Sequence, residues 1–292
     1  MNAVTDLNKR LLVLEKPPIV TPPPVEPPPV ITPPPGIKVT SIQALLNALA
    51  DNNAKDIVVA NGRYPVAPVH TQQATSLWIG SRFAGRTNPV VVRAETPGEV
   101  IFDGGGANTG HITFVDGAHD QDWRGFSLDN AKPYQSGSVV FGAYGKPAPH
   151  HISLRKLSVL RGIVAATANN DHAMYFSSDA WHDVLIEDYL CTPGAGIKSA
   201  LQFYHAPNGY NLTVRRMKVD GAQPMSAILI YEGSVRDVLI EDSQITGTAT
   251  PLNVNACGPN VVLRRVVSNT GRQPYYPSGK PAGLILENCT WG

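Results

Sequence analysis

Tyr175, Gln202, Leu229 and Asn253 recur at spacings of 27, 27 and 24 residues, and Ser177, Tyr204, Tyr231 and Asn255 repeat them in step. Each residue belongs to one of four related segments: AMYFSS at 173–178, ALQFYH at 200–205, AILIYE at 227–232 and PLNVNA at 251–256. In an extended chain alternate side chains face opposite sides. The apolar pairs Met174/Phe176, Leu201/Phe203, Ile228/Ile230 and Leu252/Val254 then point inward, and the two polar ladders point outward. Neighbouring strands lie about 4.8 Å apart, which sets Tyr204 over Tyr231. Aromatic rings that carry hydroxyls suit the faces and edges of sugar rings. His205 and Glu232 follow at equivalent positions, so the candidate glycan-binding set is Tyr175, Gln202, Tyr204, His205, Tyr231 and Glu232. The competing reading of the same face is a solvated sheet with cross-strand pairing, or a subunit contact.

Acid–base chemistry is less clearly written. Sugar hydrolysis needs two carboxylates facing each other across one ring. Asp171, Asp179 and Glu232 are the acids near this face, and no two stand at paired positions. Asn170-Asp171-His172, just before AMYF, is a polar cluster that turn-forming residues also explain, and His182-Asp183 after Trp181 reads as a turn. Glu187-Asp188 and Glu241-Asp242 repeat in register, with Arg215, Arg216, Arg264 and Arg265 between them, as surface charge would. Cys191, Cys257 and Cys289 are too widely spaced for a zinc site and read as buried thiols. The run DGGG at 103–106 reads as a strand-end turn, since it lacks the phosphate-loop lysine and opens no helix.

The elements that must carry these residues follow from a second repeat. ISLRKLSV at 152–159, VLIEDYL at 184–190, LTVRRMKV at 212–219, VLIEDSQI at 238–245, VVLRRVV at 261–267 and LILENCT at 284–290 share one pattern. Their anchors, with two earlier copies, are Val92, Trp123, Leu154, Ile186, Val214, Ile240, Leu263 and Leu286, spaced 31, 31, 32, 28, 26, 23 and 23 residues apart. One such coil cannot bury its own apolar face, but stacked coils can. Two strand families in fixed phase, with no helix between them, predict parallel stacking into a β-solenoid. Before it, Ile42, Leu45, Leu46 and Leu49 form one helical face that Thr40 or Ser41 can cap, followed by the strand DIVVA and an Asn61-Gly62 turn. That helix closes one open sheet edge. The last strand leaves the other end open unless a partner or later chain covers it.

The first 36 residues differ. Val4, Leu7, Leu11 and Leu14 have heptad spacing, which predicts a short anchoring or oligomerising peptide over 1–16. Residues 17–36 form a linker in which eleven of the 19 residues from 17 to 35 are proline. Such a run favours extended polyproline II and spans roughly 60 Å. A spacer behind a small apolar element reads as a tether; a ligand for a proline-binding domain is the alternative. The first residues do not make a good signal peptide, so ordinary secretion is not expected. No apolar run is long enough for a membrane span. A net charge of +1 gives no reason to expect nucleic-acid binding.

With the coils, the lead-in LLNALADNNAKDIVVANGRY and EVIFDGGG at 99–106, residues 38–292 resemble the pectate-lyase-like, right-handed parallel β-helix superfamily. The resemblance implies an all-β fold over 37–292: a right-handed, single-stranded parallel β-helix with a short N-terminal capping helix behind a proline-rich linker. Members include phage tailspikes and other virion proteins, polysaccharide lyases and glycoside hydrolases. The tailspike-like branch implies an adhesive virion component, assembled in the host cytoplasm and without a cofactor. It would be held by residues 1–35 to other virion proteins, able to form a homotrimer, and bind a cell-surface polysaccharide. The lyase branch implies an extracellular enzyme on an acidic polysaccharide, in which a basic residue abstracts a sugar proton and calcium or a positive side chain neutralises the uronate. On that branch Asp171, His172, Asp179, Lys198 and Arg215 are the acid–base candidates. The acid-rich calcium ladder of pectate lyases is not visible.

Overall fold

The computed structural model describes residues 36–66, 77–80, 86–105, 111–131, 136–143, 145–162, 171–177, 180–192, 198–204, 208–220, 226–231, 233, 235–247 and 250–292. The peptide 1–16, the linker 17–36 apart from Gly36, and the candidates Asp179, His205 and Glu232 lie outside the described residues.

Among the described residues all strand pairings are parallel. They form three sheets of ten, nine and seven strands. The expected anchors fall on consecutive rungs of the ten-stranded sheet, from Val92 opposite Trp123 to Leu263 opposite Leu286. Phe176, Phe203, Ile230 and Val254 likewise share one column of the seven-stranded sheet, which continues back through Phe141 and Phe114. The described residues therefore form an all-β, single-stranded parallel solenoid with one short helix. The nine-stranded sheet is the addition to the sequence reading.

From His150–Arg155 onward each described coil turns its corner the same way. A strand of the ten-stranded sheet ends and two residues later a strand of the nine-stranded sheet begins, as in His150–Arg155 to Ser158–Gly162 and Arg236–Glu241 to Gln244–Ile245. The first of the two is left-handed: Lys156, Asp188, Arg216, Asp242, Arg265 and Asn288; in the preceding coil Gly125 (φ 81°) makes the corner alone. The second is buried in most coils, as Leu157, Tyr189, Met217, Ser243 and Val266 are. A left-handed residue reverses the backbone in one step. A second left-handed column, Asp120, His151, Asp183, Asn211, Asp237 and Asn260, bends the opposite end of the ten-stranded sheet. The second column is Asn or Asp at every position but His151, residues whose short polar side chains tolerate this conformation best after glycine, whereas the corner column divides between Asn or Asp and Lys or Arg.

The interior is a set of like-on-like ladders. Phe114, Phe141, Phe176 and Phe203 stack in series with ring centroids 5.3, 4.9 and 4.8 Å apart. Phe102 lies on Phe126 at 5.1 Å. Each fully buried ring removes about 2–3 kcal/mol worth of apolar surface from water.

The helix α1 (Ile42–Ala50) closes the first coil with Leu45, Leu46 and Leu49 buried. Ser41 caps it, its side chain accepting from Ala44 N at 3.1 Å. Arg86 holds the other end. Its guanidinium is 4% exposed and donates to the carbonyls of Leu49 and Asp51 at 2.9 and 2.8 Å, and to that of Ala54. One side chain thus satisfies the last free carbonyls of the helix and its exit turn.

Candidate functional site

The strands Asp171–Phe176, Ser199–Phe203 and Ser226–Ile230 position the candidate site. Their register places Tyr175, Gln202, Leu229 and Asn253 on successive rungs, as expected. Tyr204 and Tyr231 follow one residue past their strands, where Tyr204 N donates to Phe176 O and Tyr231 N to Phe203 O at 3.0 Å. The three tyrosine rings stack: Tyr175 on Tyr204 at 6.1 Å and 27°, Tyr204 on Tyr231 at 5.6 Å and 20°.

This face is not evenly open. Gln202 is 3% exposed, Leu229 1% and Thr113 on an earlier rung 2%. The column of Tyr175 is therefore covered at Gln202 and Leu229, and accessible surface grows along the ring stack to Tyr231, which is 38% exposed. Burial, and then neighbouring Tyr204, push the Tyr175 phenol well above its usual value, so that hydroxyl stays protonated. The side-chain oxygens of Thr113, Gln202 and Asn253 are buried with no partner among the described residues.

His172 lies beside the stack. It is fully buried, its ring 5.9 Å from that of Tyr175 and its Nδ1 3.1 Å from Ser199 Oγ. Among the described residues its Nε2 has no partner. Burial, with a smaller push from Lys198, lowers it to about 3, so the ring is neutral at ordinary pH. The structure thus brings Tyr175, Gln202, Tyr204, Tyr231, His172 and Lys198 onto neighbouring rungs. Asp171 opens its strand in register with Ser136, and its side chain is outside the described set.

Arg215 stands apart, on the ten-stranded sheet, 2.6 Å from Glu187. It belongs to an ion-pair ladder along the corner. Arg216 binds Asp188 at 2.6 Å and Glu187 at 3.0 Å, Arg265 binds Asp242 at 2.6 Å and Glu241 at 3.1 Å, and Arg264 binds Glu287 at 2.6 Å. Two shallow cavities of about 370 and 400 Å³ lie along this ladder. Cys191 is buried, its thiol pushed up to about 12 by burial, whereas Cys257 and Cys289 are only half-buried.

One arrangement was missed in the sequence. His119, His150, His182, Tyr210 and Arg236 each stand four residues before an anchor of the ten-stranded sheet and stack on successive rungs. The constant offset from the anchors was the available signal. It was hidden because the intervening left-handed residue breaks the period of two, leaving His182-Asp183 looking like a turn.

Among the described residues no group of three or more His, Cys, Asp or Glu is placed to hold a metal ion, so a calcium cage has no described ligands. None of the described helices is long and apolar enough to cross a membrane. Comparison with family profiles, curated proteins and solved structures finds no match.

Proposed function

We propose that this chain is an adhesive virion component of the tailspike or fibre type, which binds a surface glycan along the Tyr175–Tyr204–Tyr231 stack. The observation that carries the binding is the graded stack itself. Inside it the ring faces cover one another, and their hydroxyl edges recur once per coil. At its end Tyr231 is followed on the next rung by Asn255, which leaves an aromatic face for a sugar ring. The virion assignment rests on analogy with pectate-lyase-like tailspikes, joined to the heptad peptide and proline spacer of the sequence. On this reading residues 1–35 dock on other virion proteins and the solenoid faces the host. The test is binding of the full chain to a panel of neutral and acidic polysaccharides. Tyr231→Ala and Tyr204→Ala should each weaken binding about tenfold, as loss of one stacking or hydrogen-bonding contact does. Unchanged affinity in both variants removes the tyrosine stack from the reading.

A lyase is the second reading, and His172 is the observation that favours it. A neutral imidazole with an unpartnered Nε2 can accept a proton, and the protonated Tyr175 hydroxyl can donate one. Complete burial of His172 stands against it, because a sugar proton has no path to Nε2 in this conformation. Unsaturated products from any uronate polymer, lost in His172→Gln, would put catalysis ahead of adhesion.

A further inference from the structure

Four of the chain's eight histidines stand together at the bent end of the ten-stranded sheet, away from the tyrosines. His119, His150 and His182 stack almost parallel, with centroids 5.1 and 4.9 Å apart and planes within 5°. Tyr210 continues the column at 5.0 Å, and the Arg236 guanidinium lies 4.5 Å from the Tyr210 ring. Each coil from His119–Arg124 to Arg236–Glu241 thus contributes one planar polar group.

The left-handed column beside them fixes how the rings present themselves. His119 Nδ1 is 2.8 Å from Asp120, His182 Nδ1 is 2.7 Å from Asp183, and His150 Nδ1 is 2.8 Å from Nδ1 of His151. His151 is 57% exposed and lies between the two acids, 3.5 Å from Asp183 and 4.0 Å from Asp120. With every Nδ1 turned to this column, the three stacked rings carry their Nε2 edges on the opposite side. Parallel rings about 5 Å apart send those nitrogens along parallel lines, not toward a common point, so they do not form a chelating site. Among the remaining groups, Asn211 donates to Asp183, while Arg236 and Asn260 donate to Asp237 at 2.7 and 3.0 Å.

We infer that this column is an acid-gated binding strip for an acidic polysaccharide. At neutral pH the patch around the four imidazoles is dominated by the carboxylates of Asp120 and Asp183, and it repels a polyanion. Acidification adds positive charge to a cluster of imidazoles, turns the balance against the two carboxylates and sets charged ring edges at the coil spacing. Partial burial, and then the neighbouring His182, His119 and His151, hold His150 below its ordinary value. The ligand class follows from which surfaces remain. Stacking consumes the ring faces, so nucleobases find no platform. What is left is a line of charge-assisted donors in even steps, which suits a polymer bearing one carboxylate or sulfate per repeat. This site is on a different sheet from the tyrosine stack and stands or falls without it.

The experiment measures retention of the full chain on immobilised polygalacturonate, heparin and neutral dextran at about pH 7.5 and about pH 5.5, on either side of the ordinary imidazole range. Retention on the acidic polymers should rise about tenfold on acidification and be removed by salt, with no change on dextran. The triple variant His119→Gln, His150→Gln, His182→Gln should lose that rise, while Tyr204→Ala and Tyr231→Ala keep it. A neutral-pH arm avoids acid unfolding: Asp120→Asn with Asp183→Asn, and separately His119→Lys with His182→Lys, should each raise polyuronate retention at pH 7.5. Equal retention at both pH values, a rise that survives the triple variant, or no gain in either neutral-pH variant overturns the inference. So does an equal rise on duplex DNA.

Discussion

His111 and His172 are the residues on which the fold's pH tolerance turns. Both are fully buried, and burial lowers His111 to about 4 and His172 to about 3. A histidine whose folded pKa lies below its unfolded value of about 6.5 binds more protons when unfolded, so its stabilising effect is complete above that value. It is lost as pH falls, at about 1.4 kcal/mol per pH unit for each imidazole, down to the folded pKa. Urea midpoints measured from pH 7 to 4 should therefore drop steadily, and the slope should roughly halve in His111→Gln or His172→Gln. A flat profile would mean that these rings are solvated. The Tyr204–Tyr231 contact was legible at this scale because both rings follow a repeating apolar pair at the same offset; the contact of Tyr175 with Tyr204 was not, because Tyr175 lies within its pair and belongs to the other ladder. The solvent cover over Gln202 and Leu229 was not, because period-two alternation tells which side a residue faces and nothing about what lies on that side.

The elements are held at their ends. Arg86 replaces a conventional helix C-cap with three carbonyl contacts and carries no carboxylate partner. Its own pKa is lowered by burial. Arg86→Ala should cost about 3 kcal/mol, the loss of several buried charge-assisted bonds and the exposure of unpaired carbonyls, read as a shift in chemical denaturation. The corners make a separate prediction. Lys156 sits at φ 54° and is exposed, so Lys156→Val should destabilise by about 1–2 kcal/mol through backbone strain, while Lys156→Asn should be neutral or better. If the two variants melt alike, the corner is not left-handed in solution. Gly209 tests close approach: a Cβ there would stand 2.4 Å from the Trp181 ring, and Gly209→Ala should loosen that coil. The nine-stranded sheet escaped the sequence reading for a geometric reason. Several of its strands, such as Leu190–Cys191 and Lys218–Val219, are two residues long, too short for any period to register.

The solenoid behaves as a stack in which each coil is stabilised by its neighbours. Phe176 touches Phe141 below and Phe203 above, so Phe176→Ala breaks the ladder at its middle. It should cost about 3–5 kcal/mol, and amide exchange should quicken in the adjoining coils more than in distant ones. Uniform quickening would indicate a single cooperative unit. The stacking itself was legible because anchor spacing shortens from 32 to 23 residues without losing phase, which only coils threaded on a common axis permit. That shortening is also where the corner column has its largest consequence. The step from the ten-stranded to the nine-stranded sheet takes two residues in every coil from His150–Arg155 onward, so all variation in length falls in the other two arcs. Those arcs are modular: segments grafted or trimmed there would alter what the molecule displays while the spine beneath keeps its pitch, which makes this chain a natural scaffold for swapping recognition loops.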